Sequence, residues 1–192
     1  NANPAKVLNM SLGGEDPCGS TYQNAITAAI NAGATVVVAA GNSNANVEDF
    51  RPANCNGVIS VAALNRAGGR ASYSNYGSLI KIAAPGGDGA GDTNLSANMI
   101  LSTLNNGETG PTTDAYWYYR GTSMAAPHVS GIVSLMLSAN PSLTPAQVLA
   151  RIQASARAFP TGTGRDCTTS TCGAGIINAT AALVNPVPSV SS

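Results

Sequence analysis

Apolar positions along this chain come in short blocks with two different periods. Val7 to Met10 reads as a short buried strand, and Thr35 to Ala39 is a continuous, mostly β-branched run. Such a run is what a strand covered on both faces presents. Between them, Thr21 to Asn31 carries Ile26 and Ile30 on one face of a helix, which Gly33 ends. Strand, helix and strand in so short a span predict a right-handed parallel crossover. Val58 to Leu64 and Leu79 to Ala83 read as further strands, separated by the polar turn Arg66-Ala67-Gly68-Gly69-Arg70. Ile100 to Thr103 and Tyr116 to Arg120 read as a hairpin. Two helices close the core, Ser123 to Ala139 and Thr144 to Ala156. The second opens with a capping threonine and a first-turn proline, Pro145.

This order predicts an α/β fold, a mostly parallel sheet with helices on both faces, over residues 1–184 as one unit. Asn185 to Ser192, with Pro186 and Pro188, reads as a tail or the start of a linker. The chain has no internal repeat, and its 192 residues suffice for one sizeable core.

Composition narrows the function classes. Nine basic residues balance nine acidic ones, so no overall field favours nucleic acid or an anionic membrane. No apolar run approaches the ~20 residues that a membrane-spanning helix needs. The four cysteines show no repeated Cys-x-x-Cys, which disfavours a zinc site. Cys167 and Cys172 bracket a short polar loop that suits a local disulfide, and Cys18 with Cys55 would close a second. An even cysteine count in a chain of low charge points to an oxidising, extracellular setting. Asn1-Ala2-Asn3-Pro4 lacks the charged leader and apolar core of a secretory signal, so for a secreted protein such a signal is expected to have been removed.

The chemistry concentrates in Gly121-Thr122-Ser123-Met124-Ala125-Ala126-Pro127-His128-Val129-Ser130-Gly131, where a serine stands between a glycine-led turn and an alanine-rich helix. The turn lifts the hydroxyl, and the helix N-terminus places positive potential beside it. Asn9-Met10-Ser11-Leu12-Gly13-Gly14, Val36-Val37-Val38-Ala39-Ala40-Gly41-Asn42-Ser43, Ala84-Pro85-Gly86 and Gly173 to Ala179 complete a set of motifs in fixed order. Together these segments resemble the subtilisin-like serine proteases over about residues 7 to 184.

The resemblance implies Ser123 as the nucleophile and Asn42 as a side-chain donor to the oxyanion, a task suited to a neutral amide. It implies Ser11, Leu12 and Gly13 as the segment that takes an extended substrate as an added strand. Ala39, Ala40 and Gly41 would form the opposite wall of the first specificity pocket. Small residues on both walls suit a large apolar side chain, while Glu48 or Asp49 reaching the base would admit a basic one instead. The expected activity is hydrolysis of peptide or protein substrates by a secreted endopeptidase, with no cofactor for the chemistry.

Two departures shape this expectation. The family orders its triad aspartate, histidine, serine, and nothing before Ser123 resembles the first two. The single histidine, His128, lies on the wrong side of the serine, about 140° round the helix, and reads as a packed helix residue that bonds a neighbour. An upstream fragment of the same protease is therefore the expected partner, and the fold is expected to be incomplete without it. The alternatives are a catalytically incompetent module used for peptide binding or scaffolding, and a truncated product without activity. The second departure concerns metal. Where some relatives bind a cation near an acidic residue on the strand leading to Ala-Pro-Gly, this chain offers Lys81, so that site is not expected. Asp88 and Asp92 in the Gly86-Gly87-Asp88-Gly89-Ala90-Gly91-Asp92 loop are the structural calcium candidates, although the loop reads better as solvated.

Overall fold

The computed structural model describes residues 4–89 and 95–184. The proposed tail from 185 to 192, and Asp92 of the candidate calcium loop, lie outside the described residues.

The first strand, β1, is Val7–Met10, followed by the two-residue strand β2, Gly14–Glu15, and helix α1, Ser20–Asn31. Strand β3, Thr35–Ala39, pairs parallel with β1, Val7 opposite Thr35 and Met10 opposite Val38. A second two-residue strand, β4, Phe50–Arg51, pairs antiparallel with β2. Strands β5, Ile59–Leu64, and β6, Ile82–Pro85, then extend the parallel sheet. Its order is β1-β3-β5-β6. The hairpin β7, Ile100–Asn105, and β8, Asp114–Tyr119, stands apart from that sheet and leads into helix α2, Thr122–Ala139. Helices α3, Pro145–Ala154, and α4, Ala179–Val184, follow.

Alternation along β3 explains the layers. Val37 and Ala39 point into a cluster with Ala125, Val129 and Val133 of α2 and Val148 and Ile152 of α3. Val36 and Val38 point the other way, into a cluster with Ile26 of α1 and Cys55. A strand whose every residue is buried needs apolar side chains at every position, as the run Thr35 to Ala39 shows. Each buried valine is worth about 1.5–3 kcal/mol relative to exposure. Helix α2 crosses β1, β3, β5 and β6 together. Its small residues Ala125 and Ala126, fully buried, let it approach that closely.

The two edges of the sheet differ. Beyond β6, Ala83 N–H donates to Gly175 C=O and Ile177 N–H to Ala83 C=O, so this edge is covered. Among the described residues strand β1 pairs with β3 alone, and it is only half-buried.

Most boundaries agree with the apolar pattern, with instructive exceptions. The strand expected from Leu79 to Ala83 forms instead at Ile82–Pro85. Leu79 and Ile80 belong to a preceding turn, in which Ile80 N–H bonds Gly77 C=O and the Ser60 hydroxyl donates to Leu79 C=O. Ile80 is buried without joining the ladder; apolar character marked burial, not strand. Both hairpin strands run longer than their apolar cores and keep Tyr116, Trp117, Tyr118 and Tyr119 exposed. Helix α3 ends at Ala154 and opens as expected, with Thr144 and Gln147 capping one another reciprocally.

Both disulfides form as paired, Cys18–Cys55 and Cys167–Cys172. The first closes a separation of 37 residues and ties the start of α1 to the segment after β4; the second closes 5. Loop-closure entropy makes removal of the longer one cost roughly 4 kcal/mol and of the shorter roughly 2. Urea unfolding of the paired Cys→Ser variants should therefore show the larger loss for Cys18/Cys55. Equal losses would mean that native packing around the sulfurs, rather than chain entropy, dominates.

Candidate active site

The turn before α2 is held from below. Gly121 adopts φ +152°, where a side chain is strained, and its N–H donates to Gly86 C=O at 2.9 Å. Gly86 is equally constrained, because a Cβ there would lie 2.4 Å from the Cβ of Ala63 and 2.9 Å from the Gly121 carbonyl. The Tyr73 hydroxyl donates to the carbonyls of Gly86 and Gly87. Burial pushes the Tyr73 phenol above its ordinary range, so it stays a protonated donor. Asp88 accepts from the N–H and the hydroxyl of Ser72 and lies 4.0 Å from Arg120, the residue that leads into the turn. The carboxylate carried as half of a calcium loop thus has both oxygens engaged by protein donors.

Asn42 follows β3 and meets α2 through its side chain. Its Oδ1 accepts from the Thr122 N–H at 2.9 Å and from the Thr122 hydroxyl at 2.8 Å. The Gly41 N–H lies 3.1 Å from the same hydroxyl oxygen, which accepts it. With Oδ1 fixed, the orientation of the amide is fixed as well. Its Nδ2, which has no partner among the described residues, faces the turn, 3.6 Å from where a Cβ on Gly121 would stand. The bend at Gly41, φ +104°, is clamped by the buried Asn75. The amide of Asn75 donates to Ala40 C=O at 2.9 Å and accepts from the N–H groups of Ser43 and Ala45. A Cβ on Gly41 would come within 2.4 Å of that amide nitrogen.

Ser123 sits in the first turn of α2, half-buried. Four residues on, where its carbonyl would find an intrahelical donor, stands Pro127, which has no N–H. The freed carbonyl accepts instead from the Ser11 hydroxyl at 2.9 Å. The Ser123 hydroxyl in turn donates to Ser11 C=O at 3.3 Å. Ser11 is itself oriented, since its oxygen accepts from Asn9 Nδ2, and Asn9 Oδ1 accepts from the Ser130 hydroxyl on α2. Residues 112 apart in sequence are thereby fastened side by side.

Between these walls lies a cavity of about 360 Å³ that brings together Ser123, Asn42, Leu12, Gly13, Ala39, Ala40 and Gly41. Of the residues expected to take an extended substrate, Ser11 alone is not in the lining; it is tied to the cavity's edge through Ser123. Gly13 is required by the fold, since a Cβ there would approach Arg51 C=O to 2.9 Å, whereas Gly14 faces open space. Glu48 and Asp49 do not reach the base. They form a short 3-10 turn, with the Glu48 carboxylate bonded to Asn46 and Ser78, and line a neighbouring depression. The cavity is lined instead by Glu15, Phe50 and Arg51 of the paired β2 and β4. That two-residue pairing carries no periodic signal; only the Cys18–Cys55 pairing hinted that the two segments meet. Thr122 and Asn75 were likewise missed, because their roles are set by partners 80 and 35 residues away.

His128 is exposed on α2 with Nδ1 2.8 Å from Met124 C=O, the ordinary partner expected of it. Among the described residues, the one recorded partner of the Ser123 hydroxyl is Ser11 C=O. The arrangement offers a hydroxyl at a helix N-terminus, a fixed amide donor and a cavity, and among the described residues no general base lies against that hydroxyl.

A family model described as the subtilase family matches residues 1–175. An extracellular protease of Xanthomonas campestris pv. campestris is 50% identical over 184 residues, covering 95% of this chain and 29% of that protein. An extracellular basic protease of Dichelobacter nodosus is 45% identical over 152 residues, 77% of this chain and 23% of that one. A solved protease structure from Pseudoalteromonas arctica superposes with a TM-score of 0.87 at 50% identity, covering 95% of this chain and 52% of that chain. The chain therefore spans about half the length of that structure and less than a third of those two curated relatives. Among the described residues no helix is long and apolar enough to cross a membrane. With a glycine-led serine turn, an asparagine locked to it and a family match over most of its length, this chain belongs to the subtilase family.

Proposed function

We propose that this chain is the C-terminal part of the catalytic unit of a secreted subtilisin-like serine endopeptidase. Ser123 is the nucleophile and Asn42 the side-chain donor to the oxyanion. The observation that carries this reading is the double acceptance of Thr122 donors by Asn42 Oδ1, which leaves Nδ2 turned toward the Ser123 turn. A binding surface needs no amide fixed beside a helix-terminal hydroxyl; an oxyanion site does. The extracellular names of the similar proteases support secretion.

In this reading Ser123 Oγ attacks the scissile carbonyl, its proton passing to a base. The carbonyl oxygen, now negative, is met by Asn42 Nδ2 and the N–H of Ser123. The substrate backbone lies along Ser11, Leu12 and Gly13, and one side chain enters the cavity. Base and orienting carboxylate come from an upstream segment of the same protease. Strand β1 supports that placement, since among the described residues it pairs on one side only and stands half-buried beside the fully buried β3.

A serine-directed fluorophosphonate should label Ser123 only when the upstream segment is present. Efficient labelling of the isolated chain would require a base other than one supplied upstream.

In the protease complete with its upstream segment, Ser123→Ala should abolish acylation while a substrate-like peptide still binds. Asn42→Leu should lower kcat by about 10²–10³ with little change in KM. That magnitude is the one known for removal of the side-chain oxyanion donor of subtilisin. Retained proteolysis in either variant would remove that residue from its role, and peptide binding without cleavage by the wild type would favour a binding module.

Thr122→Val keeps the N–H to Asn42 but removes the hydroxyl that bonds both Asn42 and Gly41. The freed amide should cost roughly tenfold in kcat, with KM within about twofold. Steady-state kinetics decides this, and an unchanged kcat would mean that the backbone N–H alone orients Asn42.

A further inference from the structure

Two charged side chains line the cavity, Glu15 on β2 and Arg51 on β4, and their situations differ. The Arg51 guanidinium is engaged twice, with Nη2 2.9 Å from Asp16 Oδ2 and its planar group 5.1 Å from the centre of the Tyr22 ring. Its charge is matched by a carboxylate and its orientation is set by an aromatic face. Glu15 enters no ion pair among the described residues. The cavity therefore holds one compensated cation and one uncompensated anion.

Its surroundings reinforce that sign. Glu15, Asp16, Glu48 and Asp49 together border the adjoining depression, and Arg51 is the single basic residue among the residues lining the two. Since the whole chain has no net charge, this is a local field.

The shape of the cavity selects how a side chain enters it. Phe50, buried, forms part of the lining beside Gly41. Leu12, 55% exposed, offers an apolar surface at the mouth. An aliphatic stem laid along Leu12 and Phe50 with a cationic head turned toward Glu15 satisfies both surfaces, as lysine and arginine side chains do when they bury their stems and keep the charge solvated.

We infer that Glu15 is a specificity-determining residue that favours lysine or arginine in the substrate residue whose side chain enters this cavity. The inference rests on the reading of the cavity as the endopeptidase's substrate pocket. It departs from the large apolar side chain that the small residues of the two walls suggest, because the charge comes from the β2 and β4 pairing instead.

The test uses the complete protease, upstream segment included, and a peptide series differing only in the residue before the scissile bond: lysine, arginine, leucine or phenylalanine. The expected result is a higher kcat/KM for lysine and arginine than for leucine. Glu15→Gln should lower the lysine-to-leucine ratio about tenfold, Glu15→Lys should invert it, and Glu15→Asp should retain part of it. Glu48→Gln, which alters a charge outside the cavity, should move the ratio less than about twofold. Raising salt should narrow the wild-type preference, because the pair is not sealed from solvent. Peptides cleaved with a ratio indifferent to Glu15 would overturn the inference while leaving the protease reading intact. No cleavage of any peptide in the series would overturn both.

Discussion

Thr122 makes the contact on which this arrangement depends. Through one hydroxyl and one N–H it joins the end of the central strand to the start of the longest helix, accepting from Gly41 and donating to Asn42. It is 1% exposed, so water cannot substitute for those partners. A buried hydroxyl that lost them would cost about 1–3 kcal/mol. The threonine therefore fixes the distance between the Asn42 amide and the Ser123 turn and penalises any packing of α2 that separates them. Asn75 beneath the loop and Tyr73 beneath the turn hold the two halves that Thr122 connects.

Pro127 supplies the complementary constraint. A proline inside a helix removes a hydrogen bond and crowds the carbonyl four residues back. Here that carbonyl belongs to Ser123, and the missing bond is replaced by one from Ser11. The helix gives up internal regularity at one place and gains a tie to the strand segment that borders the cavity. The local exception and the site coincide, as is expected where function overrides an element's own preferences.

What could be read from the sequence follows the range of the interactions involved. The β-branched run of β3, the Ile26 and Ile30 face of α1 and the Thr144 cap are local patterns, and they placed their elements well. Ser123 and Asn42 were legible through motifs, and the structure brings their side chains to one cavity. Thr122 stood inside the same motif unnoticed, because its importance lies in a partner 80 residues away. The β2 and β4 pairing was invisible because strands of two residues have no period, and their register comes from the surrounding fold. Leu79 and Ile80 misled for the opposite reason, being apolar for burial in a turn.

The sequence separations across the site, 80 between Thr122 and Asn42 and 112 between Ser11 and Ser123, have a kinetic consequence. Contacts between residues so far apart close large loops before they contribute stability, and chains rich in them fold slowly. Parallel pairing between β1, β3, β5 and β6 adds to that delay, since each strand must wait for its crossover. The hydroxyl, the amide and the cavity walls are therefore brought together by contacts that only long-range closure of the chain can make. The assembled site is thus a property of the long-range fold, and no stretch of chain shorter than the 80-residue separation between Asn42 and Thr122 carries both halves of it.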